Sequence, residues 1–328
     1  QPRYSGSVEI DVQLDRPQDE LLLHARGLTV SQAWVEVGAQ RLPAQVRTVD
    51  AERIALRPAR RLAAGKARLA LRFAGTLDKV EWLGLFRRRE GDAWSAYTQF
   101  EPTGARRAFP LFDEPGWKLP WTLSLTVPQA LDAVSNMPLA PMVEASDVRA
   151  PPPPAPPPAL GRGAVPKPRG RAAVGAAAAS APTAWKTLRF APTPPLPGYL
   201  LAWAVGRFDS RRADGPDGLP MRVLTPPGRG DEAATALAEL PRIVAWQEDF
   251  LGMRMPFTQL DSLAVPVGPA FGAMEQPGLV TYGAPLLLAT PAEATPRFRR
   301  GLLSIAAHES AHMWFGNLVT MRWWDDLW

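Results

Sequence analysis

His308-Glu309-Ser310-Ala311-His312, running on into Met313-Trp314-Phe315-Gly316-Asn317, decides how the rest of this chain is read. Upstream, Thr295-Pro296 suits an N-cap followed by proline at the first helical position. Leu302, Ile305, Ala306 and Met313 recur at helical spacing, and Gly316-Asn317 suits a stop. The pattern predicts a helix from Thr295 to Phe315. Four residues apart on it, His308 and His312 project from one face. Both can reach one ion at the roughly 2.0–2.1 Å expected of zinc–nitrogen bonds. Glu309 points about 100° further round the axis, so it can stand beside a metal-bound water without occupying the metal. A metal lowers the pKa of such a water, and a carboxylate there takes its proton as the water attacks a carbonyl. The chain has only 3 histidines, which makes a chance match to this spacing rare.

A catalytic zinc has three protein ligands and a water. By residue type, Asp325 and Asp326 are candidates for the third, but they lie on the approach to a further element and not inside a helix. His24, in Leu21-Leu22-Leu23-His24, has no partner nearby in sequence and reads as a surface or rim histidine without a role.

Outward from the motif, the chain changes character. Residues 1 to about 140 read as mostly β: Val8 to Leu14 alternates apolar and polar, and Leu21 to His24, Ala67 to Phe73 and Trp121 to Val127 are similar runs between Gly, Pro and Asp breakers. Antiparallel sheets packed face to face are expected. A stretch from about 141 to 184, with Pro151 to Pro154 and a Gly/Ala/Arg segment, has almost no large apolar side chains and is expected to be a disordered insertion. Tyr199 to Val205 resumes the strand pattern. After about residue 216 helices enter: one capped by Asp231 and running to Pro241, a second from Pro241 to Leu251 ended by Gly252. Leu260 to Val267 and Gly278 to Tyr282 read as strands. This gives an α+β chain of two domains, 1–215 and 216–328.

Composition narrows the function. With 46% hydrophobic and 21% charged residues the chain is ordinary globular material. No apolar run reaches the roughly 18 residues of a membrane span. The net charge of +5 is spread over short arginine groups without interleaved aromatics, which argues for solvated surface and against a nucleic-acid site. The absence of cysteine removes disulfides, thiolate ligands and cysteine nucleophiles, but does not decide between cytoplasm and a periplasmic or secreted location.

His308 to Thr320 resembles the signature of the M1 family of zinc aminopeptidases, the aminopeptidase N group. Four further stretches resemble that family in the same order: Thr98 to Arg107, Phe109 to Pro115, Ser135 to Pro138 and Gly272 to Gln276. The resemblance implies an N-terminal antiparallel β-sandwich or saddle domain followed by the first part of a thermolysin-like zinc peptidase domain. It implies that His308 and His312 bind Zn2+ and that Glu309 is the general base. It also implies that Glu275, helped by Glu101, binds the free α-amino group of a peptide substrate. Gly272 and Ala273 would lie along the substrate backbone, where small side chains allow close approach, with Gln99 near the first side-chain pocket. Arg106, Arg107 and Asp113 are expected to be structural or surface residues. Gln276 departs from the usual Asn of the family, and altered loop packing is expected there. The match places the third ligand, a Glu, three residues beyond Trp328, so these 328 residues alone are expected to hold zinc poorly and to be inactive. Two other readings stay open: a zinc endopeptidase, and a non-catalytic scaffold on the same fold.

Overall fold

The computed structural model describes residues 2–77, 81–141 and 184–327. The segment expected to be a disordered insertion lies, but for its ends, outside the described residues. Among the described residues no helix is long and apolar enough to cross a membrane.

The first part of the chain is antiparallel sheet, as its alternation predicts. Six strands pair in the order Arg3–Leu14, Gly65–Thr76, Thr29–Val37, Gln40–Thr48, Arg53–Pro58, Leu21–His24, every neighbouring pair antiparallel. Along Arg3–Leu14 every second residue is solvent-exposed while those between turn inward, so Ile10 and Leu14 join Leu69, Leu71, Val35 and Leu56 in one apolar core. A four-stranded antiparallel sheet follows, in the order Asp132–Ser135, Trp203–Gly206, Ala93–Gln99, Gly84–Glu90. Two readings of local structure change here. The regular strand begins at Ser124, not Trp121, and pairs with Trp185–Arg189. Tyr199 and Leu200 lie in a 3-10 turn, Gly198–Leu200, before the strand Trp203–Gly206. Pro197 opens that turn and leaves Tyr199 buried beneath the later site.

Five strands form the second, mixed sheet: Asp209–Asp214, Pro220–Thr225, Leu260–Val265, Leu279–Gly283 and the outermost, Ala273–Met274. The three inner strands are parallel to one another and the outer two antiparallel. Leu260–Val265 and Leu279–Gly283 are buried at every residue, as parallel strands covered on both faces must be. Against this sheet and against one another lie helices α1 (Ala234–Leu251) and α3 (Pro296–Ala311), with a single turn, α2 (Ala284–Leu287), between them in sequence.

Helix α1 corrects the expectation of two helices. It runs unbroken through Pro241, and Asp231 does not cap it. The Asp231 carboxylate instead accepts a 2.7 Å bond from Arg211 Nη2, and a 3-10 turn, Gly230–Ala233, leads into the helix. Proline in a helix interior removes one hydrogen bond. Here the buried face of Ala236, Leu240, Ile243 and Val244 is continuous across it and holds the two halves together. The left-handed Gly252 (φ 60°) ends α1 as predicted.

Asn136, in one of the stretches that carry the family resemblance, bolts the two parts together. Its Nδ2 donates to Leu200 O (2.9 Å) and Pro277 O (2.8 Å), and its Oδ1 accepts from Ala202 N (2.8 Å). Gly278 passes so close that a Cβ there would sit 1.9 Å from Asn136 O, and its φ is +76°. Gly278→Ala is therefore expected to destabilise the fold by more than about 3 kcal/mol, since a backbone clash adds to left-handed strain. Urea unfolding checks this, and a change within about 0.5 kcal/mol, the range of ordinary surface substitutions, would refute it.

Candidate metal centre and its carboxylates

Thr295 Oγ1 accepts from Phe298 N at 3.3 Å and starts α3 at Pro296, as the sequence predicts. The helix stops earlier than expected, at Ala311. Beyond it the chain widens: Asn317 N, Leu318 N and Val319 N bond to the carbonyls of His312, Met313 and Trp314, each five residues back (3.1–3.2 Å). Gly316, at φ 121°, permits this coil, and its N–H bonds Val319 O at 2.7 Å. Gauge changes of this kind concentrate at functional sites.

The change of gauge sets the second histidine. His312 Nδ1 lies 2.9 Å from Phe315 O, an acceptor only, so the proton sits on Nδ1 and the lone pair on Nε2. That Nε2 faces His308 Nε2 at 3.1 Å. Burial and the neighbouring His312 push His308 below its ordinary pKa, which keeps it neutral and able to ligate. Two nitrogens this close, one with its tautomer fixed by a backbone carbonyl, fit a metal ion bound at about 2.0–2.1 Å per ligand. His308, Ala311, His312 and Phe315 line an open cavity of ≈ 400 Å³. Among the described residues no group of three His, Cys, Asp or Glu could hold a metal. Asp325 and Asp326 lie exposed in a short 3-10 turn, Trp324–Asp326, and are not ligands here.

Three carboxyls meet beside this pair. Glu309 is 5% exposed, and burial, then the charges of Glu275 and Glu101, push it up to about 8. Glu101, partly buried, is pushed up to about 7 by burial and Glu275, against the pull of His312. Glu275 is raised by burial, and its Oε1 lies 4.0 Å from His312 Nδ1. Poorly hydrated carboxyls, two of them raised further by a neighbouring carboxylate, want a cation. Burial first, and then the same charges, hold two tyrosine hydroxyls far above their ordinary range: Tyr199 beside Glu275 and Glu101, and Tyr282 beside Glu309.

The raised acids make the metal-free fold pH-sensitive. Below about 4.5 Glu309 is protonated whether folded or not, and above about 8 it is ionised in both states. Between these values the folded chain keeps a proton that the unfolded chain has released. Stability from this group is thus lost as pH rises through that window, by up to about 1.4 kcal/mol per pH unit. In Glu309→Gln this group's share of the slope is absent, while those of Glu101 and Glu275 remain. With chelator present, the variant is expected to gain on the parent by a few kcal/mol between pH 5 and 8. Parallel pH curves for the two proteins in urea unfolding would contradict this.

The other residues singled out from sequence lie in the sheets and turns that precede α3 in the chain. Ala273 lies opposite Tyr282 on the outermost strand of the second sheet, leaving one edge of that strand unpaired by the sheet. Gly272 turns into it at φ 70° and accepts from Gly283 N at 2.9 Å. Gln99 ends the strand Ala93–Gln99, two residues before Glu101, and its Oε1 takes a 3.4 Å bond from Gln276 Nε2. Gln276 is fully buried, its Oε1 taken by Thr281 Oγ1 at 3.1 Å, so the longer amide bridges the two sheets. Arg106 and Asp113 form a buried pair (2.8 Å), and His24 Nδ1 accepts from Asp113 N at 3.2 Å, which makes His24 a structural residue and not a surface one. The sequence reading gave Asn317 no role beyond a helix stop. Its Nδ2 donates to Glu275 O at 2.8 Å, and its place inside the signature was the available signal.

The Peptidase M1 N-terminal domain matches residues 1–148, and the Peptidase family M1 domain matches residues 235–328. Aminopeptidase N of Acetobacter pasteurianus is 30% identical over 331 residues, covering 99% of this chain and 82% of the relative. Aminopeptidase M1-A of Oryza sativa subsp. japonica is 33% identical over 336 residues, 99% of this chain and 34% of the relative. The puromycin-sensitive aminopeptidase of Caenorhabditis elegans is 30% identical over 334 residues, 99% of this chain and 31% of the relative. The chain thus spans about four-fifths of the first of these and about a third of the other two. On these matches, and on the order of its sheets and motifs, the chain belongs to peptidase family M1, a family of metallopeptidases whose relatives named here are aminopeptidases.

Proposed function

We propose that this chain carries the core of a zinc aminopeptidase site, one that removes residues singly from the free amino end of peptides. The observation that carries the reading is the meeting of a buried carboxyl, Glu275, and a half-buried one, Glu101, whose pKa it raises, with a histidine pair whose nitrogens face each other at 3.1 Å. His308 and His312 would hold the ion. Zinc there supplies a Lewis acid that polarises the scissile carbonyl and acidifies water. Glu309 takes the proton from the attacking water at its carboxylate and returns it to the leaving amine. Glu275 and Glu101 hold the substrate ammonium, whose positive charge relieves their repulsion and favours their ionised forms. The Ala273–Met274 edge strand offers backbone groups to the extended substrate, and Gln99 borders the first side-chain pocket. The N-terminal sheets act as a scaffold that delivers Gln99 and Glu101 to the cleft.

An endopeptidase has no use for an ammonium clamp, and its substrates would leave these buried acids without a cation. A scaffold would bear the desolvation of three carboxyls with no return. Removal of amino-terminal residues by the native protein, abolished by a chelator and restored by zinc, tests the proposal; chelator-insensitive turnover would overturn it.

These 328 residues alone are expected to hold zinc weakly, because among the described residues only two ligands converge. Zinc retained at one equivalent through gel filtration would contradict this.

A further inference from the structure

Lys118 stands far from the histidine pair in sequence but not in space. Its Nζ donates to Asn317 O at 3.0 Å and to Leu318 O at 2.9 Å, the carbonyls at the end of the widened coil that follows α3. It forms no ion pair with a carboxylate among the described residues and is half-buried. A cation at a helical C-terminal end satisfies exposed carbonyls and complements the helix dipole; Asn317 O takes Lys118 beside a 3.2 Å bond from Thr320 Oγ1. The same loop touches this region again: a Cβ on Gly116 would lie 3.3 Å from Arg322 O. Asn317, whose carbonyl Lys118 holds, has its side chain committed elsewhere: Nδ2 reaches Glu275 O at 2.8 Å, and its Oδ1 has no partner. Asn317 N is tied to His312 O at 3.1 Å. One residue therefore joins the second histidine to the segment of the ammonium-binding carboxylate, and Lys118 pins it.

We infer that Lys118 is a positioning residue: through Asn317 it fixes the separation between the metal-binding end of α3 and Glu275. The consequence for catalysis rests on the aminopeptidase reading; the mechanical coupling does not. In an enzyme that measures one residue from an ammonium to a carbonyl, this separation decides whether both ends of a substrate are held at once. Loosening it would spare binding at either end alone and weaken only ligands that bridge the two.

Two measurements on the native protein test this. Lys118→Met keeps the length of the stem and removes the donor; Lys118→Arg retains a donor. Hydrogen–deuterium exchange, with chelator present, reads the coupling. In Lys118→Met, exchange should rise together in residues 316–320 and 274–277, with the six-stranded sheet unchanged, and Lys118→Arg should restore it. A rise confined to 316–320, or no rise, overturns the inference.

A pair of amino-acid hydroxamates, one with a free amine and one N-acetylated, reads the consequence. In Lys118→Met the free-amine compound should lose about tenfold or more in Ki, while the acetylated one, which engages the metal end only, keeps its Ki. Equal Ki changes for both, or none, overturn the positioning role, and a fall in active enzyme alone moves neither Ki. If the parent protein itself fails to prefer the free amine, the aminopeptidase reading falls, and the exchange data still decide the coupling.

Discussion

Glu309→Gln is expected to lower kcat by roughly a hundred- to ten-thousandfold, the range for loss of a general acid–base group, with zinc content unchanged. Glu309 is the neighbour in sequence of the first histidine, yet it points away from the chelating face, and it is 5% exposed. Gln preserves shape and can donate and accept, but it cannot take a proton from water. Burial and the charges of Glu275 and Glu101 push Glu309 up to about 8, which holds it largely as the acid at neutral pH. A cation between the histidines and an ammonium at Glu275 both favour the carboxylate, so the base is expected to become competent as the site fills. The measurement is steady-state kinetics with metal analysis on the same preparation. A fall in kcat of less than about tenfold with full zinc would remove Glu309 from the role of base.

Glu275→Gln should act on a different parameter. It is expected to lower kcat/KM for free-amino substrates by roughly 30-fold or more, since truncating one partner of a buried charge pair costs about 2–5 kcal/mol. Glu275 is 8% exposed and its backbone is held by Asn317, so the carboxylate is presented from a rigid segment. Replacement leaves the substrate ammonium facing a neutral amide in a site with little water. Glu101 remains, which keeps the loss below that of a double variant. The substitution also removes a negative charge from beside Glu309, so the acid limb of the pH–rate profile is expected to move to lower pH. Kinetics against pH on one aminoacyl-anilide check both statements, and unchanged kcat/KM would sink the assignment.

Much of this was legible in the sequence because the signals were local. Period-two alternation marks Arg3–Leu14 as a half-buried strand, and Thr295-Pro296 marks the start of α3 within one residue. The histidine spacing alone places both imidazoles on one face. What was not legible depends on distant partners. Nothing near Pro241 announces that a continuous apolar face carries α1 through it, or that Arg211 takes the Asp231 carboxylate from its cap. The early end of α3 follows from bonds that reach five residues back, a gauge that apolar spacing does not distinguish from an α-helix. His24 looked peripheral because its partner, Asp113, is 89 residues away. The roles proposed for Glu275 and Glu101 came from resemblance; their meeting with His312 is a property of tertiary structure, visible in their shared electrostatics and the 4.0 Å approach of Glu275. Lys118 and Asn317 belong to the same class: their contact spans 199 residues.

The most direct test of the account is a comparison of two peptides that differ only in N-acetylation, assayed with the native zinc-loaded protein. The free peptide should lose its first residue while the acetylated one is spared by at least about a hundredfold, because an amide cannot replace the ammonium between Glu275 and Glu101. Equal cleavage of the two would contradict the account and make the site an endopeptidase.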